Sequence, residues 1–579
     1  MTGPAAAAAS PPMEKQEHLA EAETTADGRD PGAVGALREA LPQVLASCAK
    51  NMLLLDIGMT LAFPTVVIAA LLGSKEHPRE PDEFGLTFDE WQASWFGSLM
   101  LICQPFGSVL SGLLLEPLGR KRAMLLVNVP HLLSWLLLST ARTHSALFAA
   151  AALMGLGMGF MEAPIITYVG EISTPKLRGA LTSMAGISVM LGFFIEYLLG
   201  TLVSWRTAAW GSVSVPLLTV LAISQVPESP MWLVSKGRLR DAERALRWLR
   251  GWVPASAVQT ELASLVQYNA EMTAMSRSKS LRAPEESATV TVTRQNGVCN
   301  GGFVADDVKE AAAPPSPAPA PAVPGHQEDT VPRGRYLDGL RALRKRDTLW
   351  PLMLVISFFV IHHWTGLSGL RPFMVPVFRQ FGLPVDAHWL TVLSALLGMG
   401  GNVLCMVTVA WCGKRPLALT SIGGVAVACL SLGSYHLFMS NATSAEVGAE
   451  LESHWLPLVL FIVLFSFHSF GIGPIPWMLL SEVFPYQGRG PATGIAAAAS
   501  YILGFFAAKT FLDIQHLVNL SGVFIVNGMV AVVGFLFMWF YLPETEGRTL
   551  QDIEALYVKK KKGISTNVQT NPTMEKTSL

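Results

Sequence analysis

The chain has 579 residues, of which 51% are hydrophobic and 15% are charged, and its formal net charge at pH 7 is −1. With a mean hydropathy of +0.40, it carries too little charge to cover the surface of an ordinary soluble protein. The near-zero net charge gives no electrostatic basis for binding nucleic acid. We therefore expect an integral membrane protein whose partners are the lipid bilayer and a small molecule.

The N-terminal segment, residues 1–45, lacks the basic region and the early apolar core that a signal peptide has. We expect it to be a disordered cytosolic tail.

Twelve apolar runs follow, each close to the roughly 20 residues that a helix needs to cross the bilayer core. Because backbone groups in lipid must pair within their own segment, these runs are predicted to be helices. They lie at about 51–72, 91–115, 123–141, 146–169, 180–201, 207–225, 350–372, 388–411, 416–439, 455–481, 491–514 and 520–542. The sequence thus predicts an all-α membrane protein with two six-helix lobes, residues 46–226 and 350–542.

A polar segment, residues 227–349, separates the two lobes. Its first part, 227–275, alternates apolar and charged residues at helical spacing, which is typical of amphipathic helices on the cytosolic side. The part at about 276–335 is rich in proline, alanine and serine and lacks the composition of a core, so we expect disorder there. Residues 543–579 are predicted to form a cytosolic C-terminal tail.

Orientation is predicted from the short loops. The loops on the side of both termini hold more lysine and arginine than the loops on the other side, which favours cytosolic termini. The sequon at Asn441 then lies outside the cell and is a candidate glycosylation site.

Charged motifs recur in the two halves. "GLLLEPLGRKR" ends the second span, and "CGKR" ends the eighth. "YVGEISTPKLRGAL" and "SEVFPYQGRGPATG" each place a glutamate seven residues before an arginine, and "PESPMWL" and "LPETEGR" close the two halves. Such an internal repeat is typical of a transporter built from a duplicated lobe.

In this order the motifs resemble the signature of the sugar porter family of the major facilitator superfamily, over about residues 46–556. Within that family the chain is most similar to the insect facilitated carriers of trehalose and hexoses. The resemblance implies facilitated diffusion of a sugar across the plasma membrane by alternating access, with no cofactor. No nucleotide loop, metal cluster or nucleophile motif suggests an enzyme.

The resemblance also implies a cytosolic gate, in which charged residues pair across the two lobes in the outward-open state and separate as the lobes rock inward. The residues assigned to it are Glu116, Arg120, Lys121, Glu171, Arg178, Glu228, Glu482, Arg489 and Glu544.

The substrate site is predicted from polar and aromatic residues in the spans. "FGIGPIPW" breaks the tenth helix just before Trp477, an indole on which a sugar can stack. "FFVIHHWTGLSGL" in the seventh span aligns with the family's "QQLSGIN", so that histidines and a serine replace family amides. Gly186 and Gly398 also stand where the family has amides. The predicted substrate-binding residues are His362, His363, Ser368, Asn402, Trp477 and Ser500.

Three alternatives stay open. Arg371 and the histidines would suit a carrier of another polar or acidic solute. Asp56 and Glu162, carboxylates within the spans, would suit a proton-coupled sugar symporter. The missing amides and the long central segment would suit a nutrient sensor that binds without transporting.

The last residues, "KTSL", resemble a ligand of PDZ domains, which add such a tail to a sheet edge as a strand.

Overall fold

The computed structural model describes residues 36–72, 84–282, 346–442, 455–484 and 489–548. Within these ranges the regular secondary structure is helical, apart from one isolated bridge between Leu72 and Phe88. The predicted C-terminal PDZ ligand and most of the predicted disordered segment lie outside the described residues.

The N-lobe comprises eight helices that form six spans, because the third and sixth spans are each interrupted once. The helices are α1 (Ala36–Leu71), α2 (Glu90–Leu118), α3 (Arg120–Leu126), α4 (Asn128–Thr140), α5 (His144–Ile172), α6 (Pro175–Leu202), α7 (Trp205–Ser212) and α8 (Ser214–Gln225). Helix α1 begins well before the apolar run at residue 51, because the polar residues Gln43, Ser47 and Lys50 of its first half are buried.

The C-lobe is preceded by three helices of the central segment and has six further spans. The helices are α9 (Pro230–Ser235), α10 (Leu239–Leu249) and α11 (Ala255–Arg282), then α12 (Arg346–Trp364), α13 (Leu367–Leu370), α14 (Met374–Gln380), α15 (Ala387–Cys412), α16 (Lys414–Ala442), α17 (Trp455–Phe467), α18 (Ile475–Glu482), α19 (Arg489–Lys509) and α20 (Phe511–Tyr541).

The predicted all-α fold with up to twelve spans is confirmed. Among the described residues, eleven helices are long and apolar enough to cross a membrane. The twelfth span is a pair bent by 48°, Thr348–Trp364 with Leu367–Gln380. Gly366 lies at this bend with a φ of 106°, a conformation that glycine adopts without steric strain.

Packing within each lobe depends on close helix contacts. Helix α2 packs along α5, α1 along α6, and α16 along α20. A Cβ atom on Gly107 would lie 2.0 Å from the backbone oxygen of Leu156, so only glycine permits α2 and α5 to approach this closely.

The three helices of the central segment pack on one another. Buried residues of α10 recur at helical spacing, at Ala242, Ala245, Leu246 and Leu249, which is typical of an amphipathic helix. A position of these helices on the cytosolic side stays a prediction. Helix α11 runs to Arg282, past residue 275 where we expected helical structure to end.

The two membrane faces of the bundle differ in how the lobes meet. We call the face that carries Ala36, Arg120 and Lys414 the terminal face, and the opposite face the distal face. The lobes pack through α6 on α15 and α2 on α19. In the distal half, Lys509 Nζ donates to Ser94 Oγ at 2.9 Å, and Thr65 Oγ1 donates to the backbone oxygen of Arg371 at 2.7 Å. These contacts hold the distal face closed.

Candidate functional site: a central polar cavity and two charge clusters

One ring nitrogen of His362 contacts the protein backbone, and the other has no partner among the described residues. Its Nδ1 lies 3.0 Å from the backbone oxygen of Ile472, in the π-helical turn of the tenth span. Because a carbonyl oxygen only accepts, Nδ1 carries the proton of the neutral ring and Nε2 is left as an acceptor. Nε2 has no partner among the described residues and is not a fully buried atom. His362 therefore offers one acceptor to a bound molecule.

His363 uses both of its ring nitrogens within the C-lobe. Nδ1 lies 2.9 Å from Ser368 Oγ, and Nε2 lies 3.0 Å from Ser500 Oγ on α19. The structure thus brings three of the predicted substrate residues together, but they form hydrogen bonds with each other. This geometry suits a role in positioning the broken seventh span better than direct contact with a ligand.

An aromatic wall stands beside the histidines. The ring of Trp477 meets Phe359 edge-on at a centroid distance of 5.1 Å and lies 5.8 Å from Tyr501. Trp477 is 39% exposed, although it lies in the bundle close to His363 through Phe359. Its free face is therefore available for stacking.

A carboxylate joins the lobes at the centre of the membrane. Glu162 of α5 accepts a hydrogen bond from Tyr501 of α19 across the lobe interface. Within the N-lobe, Ser108 Oγ donates to it at 2.9 Å and Gln104 Nε2 at 3.3 Å. These three donors hold the carboxylate in place, and no ion pair within the described ranges involves it.

Asn402 lies at the interface of α15 and α6. Its Nδ2 donates to the backbone oxygen of Gly398 at 2.9 Å. A Cβ atom on Gly186 of α6 would lie 3.4 Å from Asn402 Oδ1, so the amide oxygen faces the position where the family resemblance implied an amide. Asn402 thus stands near the cavity, opposite a glycine that leaves room for a ligand.

Arg371 places a cation deep in the bundle. Its guanidinium lies over the ring of Phe193 of α6, with its central carbon 4.7 Å from the ring centroid. Phe193 is nine residues from the distal end of α6 at Leu202, a depth of about 13 Å at 1.5 Å per residue. Three imidazoles, those of His362, His363 and His468, lie within reach of its charge.

Asp56 lies inside the N-lobe rather than in the cavity. Trp135 Nε1 donates to Asp56 Oδ1 at 2.9 Å, and His131 Nδ1 lies 2.7 Å from Asp56 Oδ2. All three side chains are buried.

The terminal face of the N-lobe carries a charge cluster, which we call the N-cluster: Glu116, Arg120, Lys121, Glu171, Glu228 and Ser229. Arg120 pairs with Glu171 at 2.8 Å. The carboxylate of Glu228 accepts from the backbone N–H groups of Arg120 and Lys121, each at 3.0 Å. Glu116 lies 3.6 Å from Arg120 and 3.7 Å from Lys236. Ser229 Oγ donates to Glu171.

The terminal face of the C-lobe carries a matching cluster, the C-cluster: Lys414, Arg415, Glu482, Glu544, Thr545 and Glu546. Lys414 pairs with Glu482 at 2.9 Å and also with Glu546. Glu544 accepts from the backbone N–H groups of Lys414 and Arg415, each at 3.0 Å. Burial alone would raise the pKa of Glu544, but its backbone N–H donors, at Glu546, Arg415, Lys414 and Thr545, outweigh burial and lower the pKa below its usual range.

These clusters differ from the predicted gate. We expected the charged residues to pair across the lobes, whereas in this structure the described pairs of Glu171, Glu228, Glu482 and Glu544 join loops within one lobe. The physical reason is the closed distal face, which holds together the ends of the lobes that lie away from both clusters. The side chains of Arg178 and Arg489 lie outside the described residues, as does that of Asn441, whose backbone ends α16 near the distal face.

Comparison with known proteins identifies the family. Residues 43–295 and 329–557, which include both charge clusters and the central cavity, match the family model described as "Sugar (and other) transporter". The chain belongs to the sugar transporter family. As a family member it is a multi-pass membrane transporter and not an enzyme.

Similar sequences agree with this membership, and a similar structure shares the fold. The transporter is 25% identical over 531 residues to the facilitated trehalose transporter Tret1 of Polypedilum vanderplanki, covering 92% of this chain and 91% of the relative. It is 25% identical to Tret1 of Culex quinquefasciatus, over 88% of this chain and 85% of the relative. The proton:xylose symporter XylE bound to 6-bromo-6-deoxy-D-glucose superposes with a TM-score of 0.60 at 19% identity, over 90% of this chain and 100% of XylE. This likeness shows a common fold.

Several members of the transporter's cavity were not among the predicted site residues. Phe359 and Tyr501 contact Trp477, His468 lies beside His362, and Gln104 donates to Glu162; Glu162 itself was noted only as a carboxylate within a span. The one available signal was polarity, because His468 and Gln104 interrupt otherwise apolar runs. Their convergence depends on packing between spans that are far apart in the chain.

Proposed function

We propose that this transporter carries a sugar across the plasma membrane by alternating access, as a facilitated carrier of a hexose or of trehalose. Membership of the family and the similarity to facilitated trehalose transporters support the choice of substrate. The observation that carries the mechanism is the position of the contacts between the lobes.

Every inter-lobe hydrogen bond and ring contact that we identify among the described residues lies in the distal half or at the membrane centre, at pairs such as Ser94 with Lys509 and Glu162 with Tyr501. The two charge clusters keep their contacts within one lobe. This is the arrangement of a carrier whose cavity faces the terminal side, which we take to be the cytosol from the charge of its loops. Rocking of the lobes about the centre would open the distal face and bring the clusters together.

In this proposal, a sugar lies between the aromatic wall and the polar residues of the seventh span. Trp477 offers a stacking face, His362 Nε2 accepts from a hydroxyl group, and Asn402 supplies an amide. His363, Ser368 and Ser500 hold the broken span in position. Glu162 and Tyr501 bridge the lobes beside the bound sugar.

The cytosolic gate is proposed for the opposite state. When the terminal face closes, the N-cluster and the C-cluster approach each other. Glu171 of the N-lobe then lies near Arg489 of the C-lobe, and Glu482 of the C-lobe lies near Arg178 of the N-lobe. In the two repeated motifs, each arginine follows the glutamate of its own lobe. Charges in such pairs are individually weak at a wet surface, so the gate depends on several acting together.

Uptake by the purified full-length protein in sealed liposomes tests the proposal. Radiolabelled glucose and trehalose are supplied outside, with and without a proton ionophore. We expect saturable uptake that equilibrates without accumulating and does not respond to the ionophore. Accumulation that the ionophore abolishes would indicate a proton symporter, and saturable binding without uptake would indicate a sensor.

A further inference from the structure

Arg371 is an intramembrane cation that has no carboxylate partner among the described residues. The ion pairs among the described residues do not include it, and its side chain lies against the face of Phe193. A charged group at this depth is costly unless it is paired or serves a passing ligand. Glu162, the carboxylate at the lobe interface, is already engaged by Tyr501, Gln104 and Ser108.

Three histidines lie near Arg371 and beside one another. The ring of His362 lies 4.7 Å from that of His363 and 5.3 Å from that of His468. The Nε2 atom of His468 is buried and has no hydrogen-bond partner in the part of the chain that the structure describes. Three imidazoles and one guanidinium thus share one end of the cavity, and an anion there would meet the guanidinium of Arg371.

The distal closure prevents this guanidinium from reaching the distal surface. Thr65 Oγ1 donates to the backbone oxygen of Arg371 and lies 3.4 Å from the hydroxyl of Tyr197. The next residue, Pro372, packs against Gly97, where a Cβ atom would lie 2.9 Å from the proline ring. The guanidinium therefore lies between the closed distal face and the imidazoles, as part of the roof of the cavity.

We propose that the sugar this transporter prefers carries a carboxylate, as a uronic acid does, and that Arg371 is its counter-ion. A guanidinium can bind a carboxylate through two parallel N–H···O bonds, a geometry that a neutral sugar cannot use. The hydroxyl groups would then face His362 and Asn402, and the ring would stack on Trp477. This inference rests on the proposed function and names the substrate class of the same cavity.

A matched pair of ligands tests it. Titration calorimetry on the purified full-length protein would compare D-glucuronate with D-glucose, which differ at one carbon. We expect glucuronate to bind at least about ten-fold more tightly, as hydrogen bonds to charged groups do. Replacing Arg371→Gln should bring the two dissociation constants within about two-fold of each other, while Arg371→Lys should retain part of the preference.

Arg142 provides the matched control. It is also an arginine over a phenylalanine, with its central carbon 5.0 Å from the ring centroid of Phe84, but it is exposed at the distal face. Arg142→Gln should leave the preference for glucuronate unchanged. If Arg371→Gln fails to fold, the comparison of the two ligands on the unaltered protein still decides the question.

Four results would contradict the inference or a part of it. Binding of glucose with equal or weaker binding of glucuronate would overturn the inference and leave the proposed sugar transport intact. A preference for glucuronate that persists in a folded Arg371→Gln variant would overturn the role of Arg371. Lactate binding as tightly as glucuronate would overturn the sugar-acid class, because the ring would then contribute nothing. If none of these ligands binds, the proposed function fails together with the inference.

Discussion

The N-cluster and the C-cluster use the same contacts at matching positions. Glu228 and Glu544 each accept from two consecutive backbone N–H groups, of Arg120 and Lys121 in one lobe and of Lys414 and Arg415 in the other. In the N-cluster, Glu171 pairs with Arg120 and accepts from Ser229 Oγ. In the C-cluster, Glu482 pairs with Lys414 and accepts from Thr545 Oγ1.

The walls of the central cavity, by contrast, are not repeated. The C-lobe contributes His362, His468 and Trp477, whereas the N-lobe contributes Glu162 and Phe193. The difference has a physical explanation. Both lobes must turn in the same way about the membrane centre, so the same cluster serves each of them. A single bound sugar has no two-fold symmetry, so the two walls that hold it need not match.

Substitution of the glycine that precedes the basic residues in each cluster tests the equivalence of the two clusters most strongly. Gly119 and Gly413 have φ angles of 87° and 82°, and a Cβ atom on either would lie 2.5 Å from a carboxylate oxygen, of Glu228 or Glu544. Gly119→Ala and Gly413→Ala should each lower the free energy of unfolding by about 2–3 kcal/mol, because a strained backbone and a displaced carboxylate add together.

Thermal unfolding in detergent measures this effect. Gly112→Ala is the control, because Gly112 is helical and its Cβ would meet nothing within 4 Å. That variant should be neutral or slightly stabilising. A loss confined to one lobe would show that the two clusters are not energetically equivalent.

Glu544 should make the stability of the C-cluster depend on pH. Glu544→Gln should cost about 1–2 kcal/mol at pH 7, since an amide oxygen accepts more weakly than a carboxylate. The folded state holds the pKa of Glu544 below its usual range. The contribution of its charge is therefore present above the unfolded-state pKa of about 4.3 and is lost as the pH falls through the lower folded value.

Melting temperatures of the unaltered protein and of Glu544→Gln, compared from pH 7 to pH 3.5, check this prediction. The difference should shrink at the acid end. Glu116→Gln is the control, because the Glu116 side chain is 54% exposed and its ion pairs are long, so it should cost less than about 1 kcal/mol at every pH. A constant difference for Glu544 would contradict a role for its charge.

Trp477 tests whether the cavity binds by stacking. Trp477→Ala should weaken sugar binding by up to about 13-fold, the loss expected for one aromatic contact. Trp411, which is 85% exposed at the end of α15, is the matched control, and Trp411→Ala should leave affinity unchanged. Equal effects in the two variants would mean that Trp477 acts through folding rather than through the ligand.

The adjacent histidines sharpen the contrast between binding and positioning. His362→Ala should weaken sugar binding by roughly five-fold, the loss of one hydrogen bond, with little change in melting temperature. His363→Ala should instead lower the melting temperature, because two hydroxyl groups lose their partner. Binding titrations and thermal unfolding on both variants separate the two roles. If His363→Ala alone impaired binding, the assignments would be reversed.

The sequence by itself determined the helical membrane fold, the two lobes and the repeated charge motifs. Each of these depends on local properties, namely the length of an apolar run and the spacing of charged residues in short loops. Trp477 could likewise be singled out, because glycines and prolines directly before it break a helix within the membrane.

Only the tertiary structure decided which polar residues share the cavity and which partners they have. Adjacent helical residues point about 100° apart, so the rotation of α12 against its neighbours leaves His362 Nε2 free and engages His363 with Ser500. The contact of Glu162 with Tyr501 joins residues 339 positions apart. Whether the clusters pair within a lobe or across lobes depends on which face of the bundle is closed, a property of lobe packing that no local pattern contains.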